Sequence, residues 1–322
     1  MNLSSDSVNH NMFEWAKKFQ RPYILDGGVG CIVQSKYPTL YHHGIWMNRA
    51  LTEHPDFIQN LHLEYINAGA DIITTFTFRT NPYSLGLYDE EKHTSEEMVK
   101  IAVDLCIAAK KQAKDLKNPV FIAGSNTTMV DCYYGILKDI KDEEIYSNHQ
   151  IHMENLMKSG CDFVINETFG HLREIEIVCD ICQKNNIPQV MSLYCDENLK
   201  LLSGEPLKEV LEIVQKYKPL AVSFNCIKYS TMRKILMEIN LNEMNWGCYI
   251  NCGDEKMQET YAQLDGEVDV HILDFAVSPE ELKTFVTGIC KEHKFRPGFM
   301  GSCCCSNPDH TAKILEIFEA KE

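Results

Sequence analysis

Residues 55–78 read PDFIQNLHLEYINAGADIITTFTF, and the change of period inside that stretch decides the fold. Over Pro55–Ala68 the apolar residues Phe57, Leu61, Tyr65 and Ala68 recur three and four apart, which puts them on one face of a helix. Past Gly69 the run Asp71–Phe78 is β-branched and aromatic and reads as a strand. The alternation continues in both directions. Tyr23–Leu25, Val120–Ala123, Asp162–Asn166, Gln189–Leu193, Leu220–Phe224, Gly247–Ile250 and Gly298–Met300 are strand-like. Ser95–Lys111 places Met98, Ile101, Ala102 and Leu105 on one helical face, and Glu205–Tyr217 does the same with Leu207, Val210, Leu211 and Val214. A short further helix is expected at about residues 9–20.

Eight strands alternating with helices, and no long Pro/Gly/Ser linker, give an α/β protein whose residues 1–322 are expected to form one (β/α)8 TIM barrel. A doubly wound sheet is the rival. The barrel is preferred because Asp26, Thr75, Ser125, Glu167, Cys195, Cys226, Asn251 and Cys303 all stand at strand C-termini, which only a barrel gathers around one mouth. His271–Val277 also looks like a strand and competes for the seventh position.

The composition narrows the function. A net charge of -15 over 322 residues argues against a nucleic-acid surface and against anionic membranes. The first residues show no secretion signal and no apolar run approaches a bilayer span, so a soluble, cytoplasmic protein is expected. In that setting the 14 cysteines read as thiols or metal ligands, not as a disulfide framework. Walker, GxGxxG and HExxH patterns are absent.

Gly301-Ser302-Cys303-Cys304-Cys305-Ser306-Asn307-Pro308 is the most unusual string. Neighbouring thiolates can share one metal where small residues let the backbone turn, and zinc favours thiolates while keeping one position open in catalytic sites. Cys226, at the end of Leu220–Phe224 and after Asn225, is the natural third ligand. The opposing reading is that cysteines are buried small hydrophobes. It is adopted for Cys179 and Cys182, a CxxC within the helix expected over Leu172–Gln183, and for most others, with Cys248 and Cys252 as the exceptions to watch. Asp26, before Gly27-Gly28, and Glu167 bring carboxylates to the mouth, where they could bind an ammonium group, act as bases, or simply cap helices. His62 and His152 are read as structural. Trp46, Phe76 and Phe78 are candidates either for a methylated-cation pocket or for core packing.

These residues resemble the homocysteine S-methyltransferase family over nearly the whole chain. Leu25-Asp26-Gly27-Gly28 resembles its opening Asp-Gly element, and His62, Tyr65 and Ala68–Thr75 its second strand with the preceding helix. Ala123-Gly124-Ser125, Glu167-Thr168 and Asn225-Cys226 match the third, fourth and sixth strands. Residues 301–310 resemble the Gly-Gly-Cys-Cys-Gly-Thr-x-Pro signature, with Ser302 and Cys305 in place of its flanking glycines. The resemblance implies Zn2+ held by Cys226, Cys303 and Cys304, with Cys305 not a ligand. It also implies an amino group of homocysteine held by Asp26 and Glu167, with Thr75 and Ser125 as further substrate contacts. The partners implied are small molecules, homocysteine and a methyl donor.

Two departures bear on the donor. Ser125 is followed by Asn126-Thr127-Thr128-Met129-Val130 where the family carries Gly-Pro. Arg79 and Thr168 stand where the betaine-using branch has tyrosines, and that branch's long C-terminal arm has no counterpart. A sulfonium such as S-methylmethionine is therefore the expected donor. The expected product is methionine, formed when a metal-activated thiolate attacks the sulfonium methyl in line. Two alternatives stay open: a module that receives its methyl from a separate corrinoid protein, and a non-catalytic zinc- or thiol-binding barrel.

Overall fold

The computed structural model describes residues 21–88, 92–133, 137–253, 276–292 and 297–319; the helix expected at 9–20 lies outside them. Eight parallel strands form one sheet in the order β1-β8-β7-β6-β5-β4-β3-β2. They are β1 (Tyr23–Ile24), β2 (Ile72–Thr74), β3 (Phe121–Thr127), β4 (Phe163–Phe169), β5 (Gln189–Leu193), β6 (Ala221–Asn225), β7 (Trp246–Ile250) and β8 (Phe299–Ser302). The two ends of that order meet. Leu25 pairs in parallel with Ile72, Asp71 N–H donates to Ile24 C=O at 2.8 Å, and Asp26 N–H donates to Ile72 C=O at 2.9 Å. With helices between the strands, this is the (β/α)8 barrel the alternation calls for.

The core has two layers. Tyr23, Leu25, Ile72, Ala123, Phe163, Ile165, Val190, Ala221, Tyr249 and Phe299 fill the barrel interior. The intervening strand residues, among them Ile24, Ile73, Ile122, Val164, Met191 and Phe224, face outward and pack against the helices. Helix α1 (Pro55–Asn67) buries Ile58, Leu61 and Tyr65 against that layer. It ends at Gly69, whose φ of +100° suits glycine and where a Cβ would strike Leu315 at 2.3 Å. At the barrel floor, Asp71 accepts from Ile24 N–H at 2.8 Å and pairs with Arg21 at 2.6 Å, which ties β1 to β2.

Strand bounds shift where the rim bends. β2 stops at Thr74 because Thr77 N–H turns back to Thr75 C=O at 2.8 Å, so Phe76 and Phe78 leave the sheet. β3 and β4 run longer than expected, to Thr127 and Phe169. The seventh strand is Trp246–Ile250. Of His271–Val277 only Ala276 and Val277 are described, and Ala276 forms an antiparallel bridge to Gly253. Among the described residues no helix is long and apolar enough to cross a membrane.

Candidate active site

Period-two alternation builds the site. Two residues beyond the interior layer, strands present side chains in the same direction, and the residues there are polar: Thr74, Ser125, Glu167, Ser192, Ser223 and Asn251. The C-terminal rim is therefore a ring of hydroxyls with one amide and one carboxyl above an apolar floor.

Cys226 follows β6, and Cys303 and Cys304 follow β8. Their sulfur atoms lie within 4.8 Å of one another, and those of Cys226 and Cys304 are 3.3 Å apart. All three are free thiols. The segment through β7, which runs between them, fixes the backbones: Cys226 N–H donates to Tyr249 C=O at 3.0 Å, Cys303 N–H to Ile250 C=O at 2.8 Å, and Cys252 N–H to Cys304 C=O at 2.9 Å. Cys226 turns at φ +54°, a left-handed conformation that costs a non-glycine residue energy and persists where neighbours over-determine it. Ser306 Oγ donates to Cys303 C=O at 2.6 Å and accepts from Gly28 N–H at 2.9 Å. Glycine is needed at 28, since a Cβ there would sit 2.7 Å from the Cys303 oxygen. Cys305, at φ +61°, lies outside the three-sulfur group and aims its N–H at Cys31 Sγ, 3.4 Å away.

The thiols compete for one negative charge. Contacts from Cys303 and Cys304, with help from the Tyr133 hydroxyl, hold Cys226 well below the usual thiol range. The same contact with Cys226 pushes Cys303 and Cys304 well above it. Three sulfurs this close, Cys226 buried and Cys303 and Cys304 half-buried, can all ionise only around a shared cation. As a donor set they suit a soft divalent metal.

Asp26 is buried; its carboxylate accepts from Thr74 N–H at 2.7 Å and from the Thr74 hydroxyl. Burial, with nearby Glu167 adding to it, pushes its carboxyl up to about 8. Glu167 accepts from the Ser125 hydroxyl and from Tyr249 OH at 3.2 Å, and burial pushes it up to about 7. A cation beside either carboxyl would favour its ionised form, the proton passing to water. Thr75 accepts from Ser125 N–H at 3.0 Å and shares a hydrogen bond with Thr77 at 2.7 Å. The structure thus places Thr75 and Ser125 as supports of Glu167.

Trp46, Phe76 and Phe78 do assemble, at centroid distances of 6.5 Å for Trp46–Phe76 and 5.6 Å for Trp46–Phe78, with Trp46 lying across Gly30. The Phe78 ring already carries a cation, the Arg79 guanidinium 5.3 Å from its centroid. Cys179 and Cys182 are buried away from the site in the helix Leu172–Lys184, and burial pushes Cys179 up to about 12. Cys248 and Cys252 are fully buried, Cys252 behind Cys304. His152 is held between Thr80 Oγ1 and Asn126 Oδ1, both at 2.9 Å. His62 is buried too, but its ring nitrogens find no partner among the described residues, and burial lowers it to about 4, so it packs as a neutral ring.

Three site residues escape the sequence reading: Thr74, Tyr133 and Tyr249. Strand parity could have found Thr74 and Tyr249. Tyr133 lies in a loop without periodicity, and no pattern announces it.

The homocysteine S-methyltransferase family model matches residues 23–318. Homocysteine S-methyltransferase 2 of Arabidopsis thaliana is 23% identical over 330 residues, spanning 95% of each chain. The selenocysteine Se-methyltransferase of Brassica oleracea var. italica is 23% identical over 93% of this chain and 89% of its own. Among solved structures, the metallated form of the Escherichia coli homocysteine methyltransferase MmuM superposes with a TM-score of 0.72 at 19% identity, over 94% of this chain and 99% of its own. That likeness shows the fold.

Proposed function

The chain belongs to the homocysteine S-methyltransferase family, and from that premise we propose that it methylates homocysteine with a sulfonium donor, S-methylmethionine or a close relative, in a site holding Zn2+ through Cys226, Cys303 and Cys304. The observation that carries the reading is the meeting of three sulfurs within 4.8 Å, at the C-terminal mouth of the barrel that also holds the buried Asp26 and half-buried Glu167 carboxyls. When bound, zinc supplies the charge that keeps neighbouring thiols deprotonated at neutral pH.

The chain's own groups do the rest. Asp26 and Glu167 take the ammonium of homocysteine, and they remain ionised while it is there. Thr74 holds Asp26; Ser125 and Tyr249 hold Glu167. With its amino group fixed, the substrate has one direction left for its thiol, toward the sulfurs, and that proximity lowers the barrier. The methyl passes from the sulfonium sulfur to the homocysteine sulfur; the donor leaves as a neutral thioether, so the transfer step needs no general base. A mouth holding three thiolates and two carboxylates attracts a cationic donor.

The test is a donor screen with zinc-loaded protein and carbon-labelled homocysteine, read by mass detection of labelled methionine. S-methylmethionine should give it; S-adenosylmethionine, betaine and a methylated corrinoid protein are the comparison arms, and selenocysteine is the comparison acceptor. Product from betaine or the corrinoid protein alone would overturn the donor assignment. No product from any donor would overturn the enzymatic reading for this site.

A further inference from the structure

Tyr133 belongs neither to the proposed ligands nor to the substrate contacts. It stands in the loop after β3, where the chain departs from its family's Gly-Pro pattern, and its hydroxyl donates to Cys226 Sγ at 2.9 Å. The Asn251 amide donates to the same sulfur at 3.5 Å. Several contacts aim the loop. The buried Arg79 donates to Thr128 C=O at 3.3 Å and to Val130 C=O at 3.0 Å, and Met129 N–H donates to the buried Glu174 at 2.7 Å. The ring itself meets Tyr194 edge-on, with centroids 5.1 Å apart and planes at 77°.

A hydroxyl donating to a thiolate makes a charge-assisted hydrogen bond, stronger than one between neutral groups. Its worth grows where three sulfurs concentrate negative charge away from water. We propose that Tyr133 is a positioning residue whose hydroxyl draws negative charge off the Cys226 sulfur and so sets how tightly that sulfur holds a metal. The sign follows from the states compared. Loading removes the remaining protons from the three sulfurs and leaves their negative charges side by side. A donor that favours the thiolate therefore favours the loaded state. In this arrangement Arg79 acts through the loop: by holding Thr128 and Val130 it keeps the phenol on the sulfur.

The inference rests on Cys226 being a metal ligand, and the experiment separates the two claims. Co2+ serves as the probe, because its sulfur-to-metal charge-transfer band reports the electron density on the thiolates. Tyr133→Phe removes one oxygen and keeps the ring against Tyr194. It should move the band to longer wavelength and weaken Co2+ binding, measured by chelator competition, by about tenfold, the scale of one charge-assisted hydrogen bond. Replacing Tyr133 with 3-fluorotyrosine, a stronger donor of the same shape, should move the band the other way, a response that a purely structural ring would not give. A band that stays in place in both variants overturns the inference while leaving the ligand assignment intact. Full Co2+ binding by Cys226→Ser would overturn the ligand assignment, and the inference with it.

Discussion

Asp26 and Glu167 sit where burial disfavours their charge, and that tension gives them both a function and a pH dependence. Glu167→Gln keeps the shape and removes the charge. A charge-assisted carboxylate–ammonium bond is worth on the order of 1.5–3 kcal/mol, so KM for homocysteine should rise by roughly tenfold or more. Zinc content should not change, and preference for homocysteine over a des-amino thiol should largely vanish; a variant with full discrimination would give Glu167 another role. In the wild type, a carboxyl raised to about 7 is mostly charged only above that pH, so KM should fall as pH rises from 6 to 8, and less steeply in Glu167→Gln, where Asp26 alone is left to ionise. Asp26 yields a stability prediction. Its folded value is raised to about 8 from an ordinary ~3.9, so the folded chain holds that proton across the interval. The associated stability is complete below about pH 4 and is lost as pH rises through 8. Asp26→Asn keeps an acceptor for Thr74 N–H and cannot ionise, so between pH 5 and pH 8.5 the substrate-free Tm should fall a few degrees less than in the wild type. Equal slopes in a thermal scan would remove Asp26 as the cause.

At the scale of elements, the strand ends make the site, and two turns decide whether it forms. Gly28 leaves room for the Cys303 carbonyl, 2.7 Å from where a Cβ would stand. Gly28→Ala should therefore displace the β8 turn and reduce bound zinc severalfold while the far-UV spectrum of the barrel persists. Cys305 occupies a left-handed position at φ +61°, which glycine adopts without strain. Cys305→Gly should keep its zinc, whereas Cys226→Ser, Cys303→Ser and Cys304→Ser should each abolish activity. If Cys305→Gly lost zinc and Cys303→Ser kept it, the ligand register in the triplet would be wrong. The strands were legible because their apolar runs are short and the helices between them keep a 3.6-residue period. The sulfur triad was legible because the cysteine triplet and Asn225-Cys226 both end strands. The rim bend after Thr74 was not, since Phe76-Thr77-Phe78 has strand composition and only the Thr77–Thr75 backbone bond turns it out of the sheet. Tyr133 was hidden for a related reason: a loop residue acquires its partner from tertiary placement, here from Arg79 and Glu174 holding residues 128–130.

For the whole molecule, the barrel's closure brings residues from β1, β4, β6 and β8, more than 270 positions apart at the extremes (Asp26 and Cys304), to one mouth. An apolar interior layer underlies that mouth, and above it stand the polar ring and the three sulfurs to which substrate and metal are assigned in the proposal. Everything proposed for catalysis depends on that metal being present. The direct measurement is the zinc-to-protein ratio by elemental analysis of chain purified without chelator and supplemented with zinc, alongside Cys226→Ser and Cys304→Ser. The account predicts one zinc per wild-type chain and far less in either variant. A wild-type ratio near zero, or variants that match the wild type, would contradict it.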